Sequence, residues 1–308
     1  MKYFDLHCDT LGFCSGRDKD ILSGEFHVDL DKNEFESWVQ AFAVFIIDDM
    51  RGDVGFNAVK KAYEYLNKLC EDHPELVKKV NTYKDIEEAS KNGACAAMFT
   101  LEGGSGIGDK IENVEKLYEM GIKMITLTWS GSTMLGDGIF VKNPQGLTSF
   151  GKDVIREMEK RNMVIDISHA SVPLFYDVAS FATTPLVASH SNSIELCSHP
   201  RNLSDEQFKI IKESGGLVGL NYFDAFLEND KDTASIESLV RHAERFLNLG
   251  GENVVALGSD FDGSVMPKDI LGIESVKDIE EAFLKNFGRE ITDKIMYNNA
   301  DSFFKKVL

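Results

Sequence analysis

Short apolar segments, many of them β-branched, alternate with longer amphipathic stretches along nearly the whole chain, and this alternation constrains the fold more than any other feature. An apolar segment followed by an amphipathic helix makes a βα unit, and repeated βα units build a parallel sheet covered by helices. Strands are expected at Tyr3–Leu6, Val39–Ile47, Ala94–Thr100, Met124–Thr128, Val164–Ser168, Leu186–Ser189, Gly216–Asn221 and Val254–Gly258. Eight is the number that closes a (β/α)8 barrel, the α/β TIM-barrel architecture. Helices are expected at Phe56–Leu69, Ile111–Met120, Leu147–Arg161, Val172–Phe181, Ser204–Glu213 and Ile236–Leu249. Ser204 with Gln207 forms a capping box ahead of Phe208, Ile210 and Ile211, and Thr148 is placed to cap the helix that carries Val154, Ile155 and Met158.

No Pro/Gly/Ser-rich linker, low-complexity run or internal repeat interrupts this pattern, so residues 1–308 read as a single domain. The last segment, about 276–308, reads as two helices that follow the eighth strand and pack on the barrel. Its Phe283, Phe287, Ile291, Ile295, Phe303 and Phe304 recur at helical spacing and are expected in the core. Charge narrows the partners. The chain carries 51 acidic against 33 basic side chains, a formal charge of −18, with no Lys/Arg-rich run. Such a field repels phosphate backbones, which argues against nucleic acid and anionic membrane surfaces. There is no apolar stretch long enough to span a membrane, and the N-terminal residues read as patterned structure rather than a leader. Cys8, Cys14, Cys70, Cys95 and Cys197 are odd in number, scattered, and form no CxxC pair. Reduced thiols in a cytoplasmic protein are the expectation.

The unusual polar residues fall at the C-terminal ends of the expected strands, where barrel enzymes build their sites. His7 and Asp9 close the first strand, Glu102 follows the third, His169 ends the fifth, His190 the sixth and Asp260 the eighth. Residues two apart on a strand point to one side, so His7 and Asp9 can share a ligand while Cys8 points away. Imidazole and carboxylate without thiolate suit Zn²⁺ or another divalent ion. Three histidines with two or three carboxylates exceed the needs of one tetrahedral ion. Two ions bridged by Glu102 would use them all, one on His7 and Asp9, the other on His169 and His190. Ions about 3.5–4 Å apart can share a water, lower its pKa and polarise a carbonyl oxygen, which points to amide or ester hydrolysis. Asp260 is then placed to take the water's proton and pass it to the leaving group.

The stretches DLHCDT (Asp5–Thr10), TLEGG (Thr100–Gly104), LTW (Leu127–Trp129), DISHAS (Asp166–Ser171), ASHSN (Ala188–Asn192), HPRN (His199–Asn202) and GSDFDG (Gly258–Gly263) resemble, in order, the motifs of the membrane dipeptidase (renal dipeptidase) family of zinc metallopeptidases. FHVDL (Phe26–Leu30) and GLTSFG (Gly146–Gly151) extend the likeness over nearly the whole chain. The resemblance implies a metal-dependent amidohydrolase barrel with two zinc ions that cleaves dipeptides. It carries His7 and Asp9 onto the ligands of one zinc, His169 and His190 onto those of the other, Glu102 onto the bridging carboxylate and Asp260 onto the acid/base. Arg201 matches the arginine that receives the substrate's free carboxylate, which a guanidinium fork can hold through paired hydrogen bonds.

Two positions depart from the mammalian pattern. Trp129 stands where some members carry a histidine thought to contact the substrate carbonyl, and Tyr222–Phe223 reverses a Phe-Tyr pair. Trp129 and Tyr222 are therefore candidate substrate contacts of altered role. The expected substrate is a dipeptide, with a D-residue at its C-terminal position left open, hydrolysed by a hydroxide shared between the ions; a homodimer is compatible with the family. Two other readings stand beside this one. Lactone or cyclic-amide hydrolysis is one, against which Glu102 speaks by occupying the place where a lysine would bridge the metals. The other is a metal-retaining binding protein without turnover. Asp262 is read as structural as readily as functional, His199 as a supporting or structural residue of the Arg201 loop, and His27, His73 and His242 carry no assigned chemistry.

Overall fold

In the computed structural model, which describes residues 1–17 and 19–308, eight parallel strands close into a barrel. The described residues form nine strands in all: β1 (Lys2–Cys8), β2 (Ser37–Phe45), β3 (Val77–Val80), β4 (Cys95–Glu102), β5 (Met124–Thr126), β6 (Val164–Asp166), β7 (Leu186–Ala188), β8 (Leu217–Leu220) and β9 (Val255–Leu257). The ring runs β1, β2, β4, β5, β6, β7, β8, β9 and back to β1. β3 stands outside it and pairs with β4. Each expected strand overlaps one member of the ring. β3 escaped the sequence pattern because it has only four residues, VKKV, of which Val77 and Val80 are buried and the two lysines half-buried.

The helices fall where their apolar faces put them. Thr148 and Ser204 cap as expected: Thr148 Oγ1 accepts from Gly151 N at 2.9 Å, and Ser204 Oγ accepts from Gln207 N at 3.2 Å. The helices Thr10–Arg17 and Tyr83–Asn92 add to those foreseen. Gly12 and Gly16 weaken the helical signal of the first. Gly12 also lies against β2, where a Cβ would come within 3.2 Å of the Phe45 nitrogen.

Two apolar layers hold the barrel. One lies between the strands and the surrounding helices. The other fills the lower barrel with Phe4, Leu6, Val39, Met98 and Val187. The C-terminal segment forms helices Val276–Asp293 and Asn299–Val307, joined by the π-turn Lys294–Asn298. Phe303 and Phe304 enter the lower layer, Phe304 stacking on Phe4 at 5.3 Å, while Phe283 packs in the outer one. Asn299 Nδ2 also donates to the Val255 carbonyl at the start of β9. The segment thus closes the N-terminal end of the barrel and leaves the opposite mouth free for chemistry. Among the described residues, no helix is long and apolar enough to cross a membrane.

Candidate active site

Every polar residue singled out at a strand end reaches the barrel mouth, and local backbone devices aim several of them. Between Asp5 and Cys8 the register of β1 against β2 slips, with three residues stepping against two. A bulge of this kind redirects side chains. Phe4 and Leu6 stay in the lower core while His7 joins the polar cluster above. His169 and Asp260 adopt left-handed backbone angles, φ 69° and 61°. Non-glycine residues are held there only when their surroundings impose it, a form of strain that concentrates at functional sites.

Glu102, the last residue of β4, lies at the centre. Its Oε2 is 3.6 Å from His7 Nε2; its Oε1 is 2.9 Å from His169 Nε2 and 3.8 Å from His190 Nε2. The same His7 Nε2 lies 3.6 Å from Asp9 Oδ2 and 3.9 Å from Asp260 Oδ1. The His7 and His190 rings stack at 3.9 Å. Two groups have ligand atoms within 4.8 Å of one another, His7–Glu102–His190 and His7–Asp9–Asp260. His7 Nε2, Asp9 Oδ1 and His169 Nδ1 are buried without a hydrogen-bond partner. Buried polar atoms are seldom left in this state, and nitrogen and carboxylate donors so gathered fit a divalent cation. Gly263 makes the gathering possible: a Cβ there would lie 1.9 Å from Asp9 Oδ2 and 2.6 Å from Asp260 Oδ1.

The electrostatics agree. Burial holds His169 and His190 well below the usual histidine range, assisted by the positive charges of Arg201 and His7, so both imidazoles are neutral and able to bind metal. His7 behaves oppositely. Burial disfavours its charge, but Glu102, Asp9 and Asp260 outweigh that and push it up to about 10. Without metal, a proton on His7 offsets the carboxylates; a cation takes over that task and displaces the proton. Asp260, raised to about 6 chiefly by burial, is already ionised at pH 8. Loading the metal-free protein with Zn²⁺ near pH 8 is therefore expected to release protons from His7 and from Glu102, whose carboxyl is held well above the usual range by burial and by the neighbouring Asp9. Titration calorimetry in buffers of different ionisation enthalpy reads this directly, and a heat independent of the buffer would contradict it.

Two buried aspartates brace the cluster by the same device. Asp166 accepts from Ser168 N at 2.9 Å, Ser189 N at 3.0 Å and Ser189 Oγ at 2.5 Å. Asp5 accepts from His7 N at 3.2 Å, Ser259 N at 2.8 Å and Ser259 Oγ at 2.5 Å. Each therefore ties its own strand end to a serine on the neighbouring strand end, and the residue after that serine is a site residue, His190 or Asp260. Ser189 Oγ also lies 2.7 Å from His190 Nδ1. Because the serine proton goes to Asp166, Ser189 accepts from His190 Nδ1–H, and this leaves the Nε2 lone pair directed into the cluster, 2.9 Å from His169 Nε2 and 3.8 Å from Glu102 Oε1. Ser189→Ala is expected to weaken metal affinity by about 10- to 100-fold. Competition with a chelator of known affinity measures it; unchanged affinity would remove the serine from the chain.

Above the cluster lies a chamber of about 340 Å³, lined on its polar side by Asp9, Glu102, His169, Arg201 and Asp260. Arg201 is 4% exposed; its Nη2 donates to the His190 carbonyl at 3.2 Å and its Nε has no partner. Asp260 Oδ2 accepts from Asn221 Nδ2 at 3.0 Å. Trp129 lines the chamber with its ring 6.4 Å from His169 and edge-on to Phe45 at 4.9 Å. Tyr222 is fully buried, with its ring edge-on to Phe261, and its neighbour Phe223 lines the chamber. The physical reason is alternation: adjacent residues of extended chain point to opposite sides, and here the tyrosine takes the inner one. His199 lines the chamber and its Nδ1 accepts from Arg201 N at 3.2 Å. Asp262 braces loops, accepting from Thr10 Oγ1 at 2.5 Å and His27 N at 2.8 Å. The sequence by itself assigns no role to Asp166, Ser189, Asn221, Phe140 and Phe226. The serines and asparagine carry no signal of their own, although Asp166 begins one of the quoted motifs.

Comparison with known proteins agrees with this architecture. The family model described as membrane dipeptidase (peptidase family M19) matches residues 1–307. A Klebsiella pneumoniae protein designated by its position in the pqqA 5′ region is 36% identical over 228 residues, 70% of this chain and 83% of its own length. The dipeptidase tcpJ of Claviceps purpurea is 26% identical over 250 residues, 79% of this chain and 58% of the relative. In fold, the chain matches a metallo peptidase of Rhodobacter sphaeroides, solved with a phosphinate mimic of the dipeptide L-Ala-D-Ala. The TM-score is 0.91 at 23% identity, over 100% of this chain and 99% of that one.

Proposed function

The chain belongs to the membrane dipeptidase family, peptidase family M19, and from that premise we propose that it is a zinc dipeptidase working with two ions, one held by His7 and Asp9, the other by His169 and His190, with Glu102 between them. The family makes it a metallo-dipeptidase, a hydrolase of peptide bonds dependent on a divalent metal ion. The observation that carries the finer reading is the division of the Glu102 carboxylate. One oxygen faces His7 at 3.6 Å and the other faces His169 at 2.9 Å and His190 at 3.8 Å. Bound there, such ions lower the pKa of a water and polarise the scissile carbonyl.

The chain's own residues supply the rest. Arg201, with Nε unpartnered and one terminal nitrogen engaged by a backbone carbonyl, receives the free carboxylate of the dipeptide and sets which bond reaches the cluster. Asp260 has Oδ2 tied to Asn221, which leaves Oδ1 to accept the proton of the attacking water and return it to the leaving amine. Trp129 and Phe45 shield the reacting bond from bulk water. We read residues 1–308 as a single domain. The five cysteines are free, which supports a cytoplasmic setting.

The test is turnover of L,L and L,D dipeptides by metal-loaded protein, beside N-acetylated and C-amidated controls and chelated protein. L-Ala-D-Ala is the first substrate to try, given the ligand of the Rhodobacter sphaeroides protein. Cleavage that survives chelation, or its absence across the panel, would sink the reading.

A further inference from the structure

The chamber has two unlike walls. All its charged lining residues, Asp9, Glu102, Arg201 and Asp260, belong to the cluster or to the carboxylate anchor. Around that anchor the wall is made of rings. His199 lies 6.0 Å from Phe140 and 4.4 Å from Phe226, and Phe226 lies 4.6 Å from Phe223. The Arg201 guanidinium carbon sits 5.3 Å from the centre of the Phe226 ring, so the anchor is set into this aromatic wall.

A geometric consequence follows for any substrate whose terminal carboxylate pairs with Arg201. The side chain of its C-terminal residue leaves the Cα bonded to that carboxylate, and must therefore be received by whatever surrounds the arginine. Resting on the dipeptidase reading above, we propose that Phe140, His199, Phe223 and Phe226 form the pocket for that side chain and select an aromatic or large branched apolar residue at the C-terminal position. Among the described residues, no carboxylate or ammonium lines this wall to receive a charged side chain, so a charged C-terminal residue would lose hydration without gaining a partner. A glycine or alanine would leave the rings in contact with water. The cavity of about 340 Å³ is at the small end for ligand sites, sized for a dipeptide rather than a longer peptide.

The experiment is a series with alanine at the amino end and glycine, leucine, phenylalanine, aspartate or lysine at the carboxyl end, the last four in both L and D forms. For the metal-loaded wild type, kcat/KM for the phenylalanine and leucine members, in whichever stereochemical form is accepted, is expected to exceed that for Ala-Gly by about 10- to 100-fold. The aspartate and lysine members should do no better than Ala-Gly. Calorimetric binding to Asp260→Asn protein should show the same order. Phe140→Ala and Phe223→Ala are each expected to shrink the phenylalanine-to-glycine ratio by about tenfold. Phe140 is 57% exposed, so its removal does not endanger folding. Dipeptide cleavage with a flat or charge-led preference, or a ratio untouched by both variants, overturns this inference and leaves the dipeptidase reading standing. Failure to cleave any dipeptide overturns the parent reading and takes this one with it.

Discussion

Replacing Asp260 by asparagine is expected to lower kcat on a good dipeptide by about 10²- to 10⁴-fold, the usual worth of a positioned general acid or base, while bound metal stays at wild-type content. Asparagine preserves the shape of the side chain and can still accept the Asn221 hydrogen bond that Oδ2 receives at 3.0 Å. It cannot accept a proton at the other position. Metal analysis beside steady-state kinetics separates the outcomes: parallel loss of metal and activity would make Asp260 a ligand, and an unimpaired variant would end its role in proton transfer. The pH profile adds a second readout. Burial is the main force raising Asp260 to about 6; His7 opposes it and Asp9 adds to it. Bound cations draw the value down from there, so wild-type activity should fall as the pH drops through a limb at or below 6, where the acceptor becomes protonated. The residual activity of the variant should lack that limb.

The second large effect concerns Arg201. Burial lowers its pKa to about 10, still far above neutrality, so the guanidinium stays charged in a nearly closed site. Arg201→Met is expected to reduce kcat/KM for free dipeptides by roughly 10²-fold or more, since losing one partner of a buried charged pair costs about 2–5 kcal/mol. C-amidated dipeptides, which offer no carboxylate, should be poor substrates of the wild type and nearly indifferent to the substitution. If amidated and free dipeptides suffer equally from it, Arg201 supports the structure rather than the substrate. Arg201→Lys should recover only part of the loss, because an ammonium cannot reproduce the two parallel hydrogen bonds of the fork.

Much of this was legible in the chain. The eight strands of the ring announce themselves because a buried parallel strand needs a run of apolar residues, and the intervals between them are long enough for helices. The cluster residues are visible because histidine and carboxylate are rarely placed at the end of such a run without a purpose. What stayed hidden had no local signature. β3 is four residues long and half charged. Ser189 and Ser259 look like any serine until Asp166 and Asp5 are seen to hold them, the second pair 254 positions apart. Phe140 and Phe226 read as ordinary apolar residues and Phe223 only as the neighbour of Tyr222, and only their convergence around Arg201 makes them a wall.

By itself, then, the sequence determined the class of fold and the chemical kinds of the site: a parallel barrel, with imidazole and carboxylate gathered at one mouth. These follow from local patterning, because strand burial and strand direction are written in consecutive residues. The tertiary structure alone decided the partition of the Glu102 oxygens, the tautomer that Ser189 imposes on His190, and the choice of Phe223 over Tyr222 for the chamber. Each depends on distances of a few ångströms between residues far apart in the chain, and on a bulge and two left-handed backbone positions that no periodicity encodes.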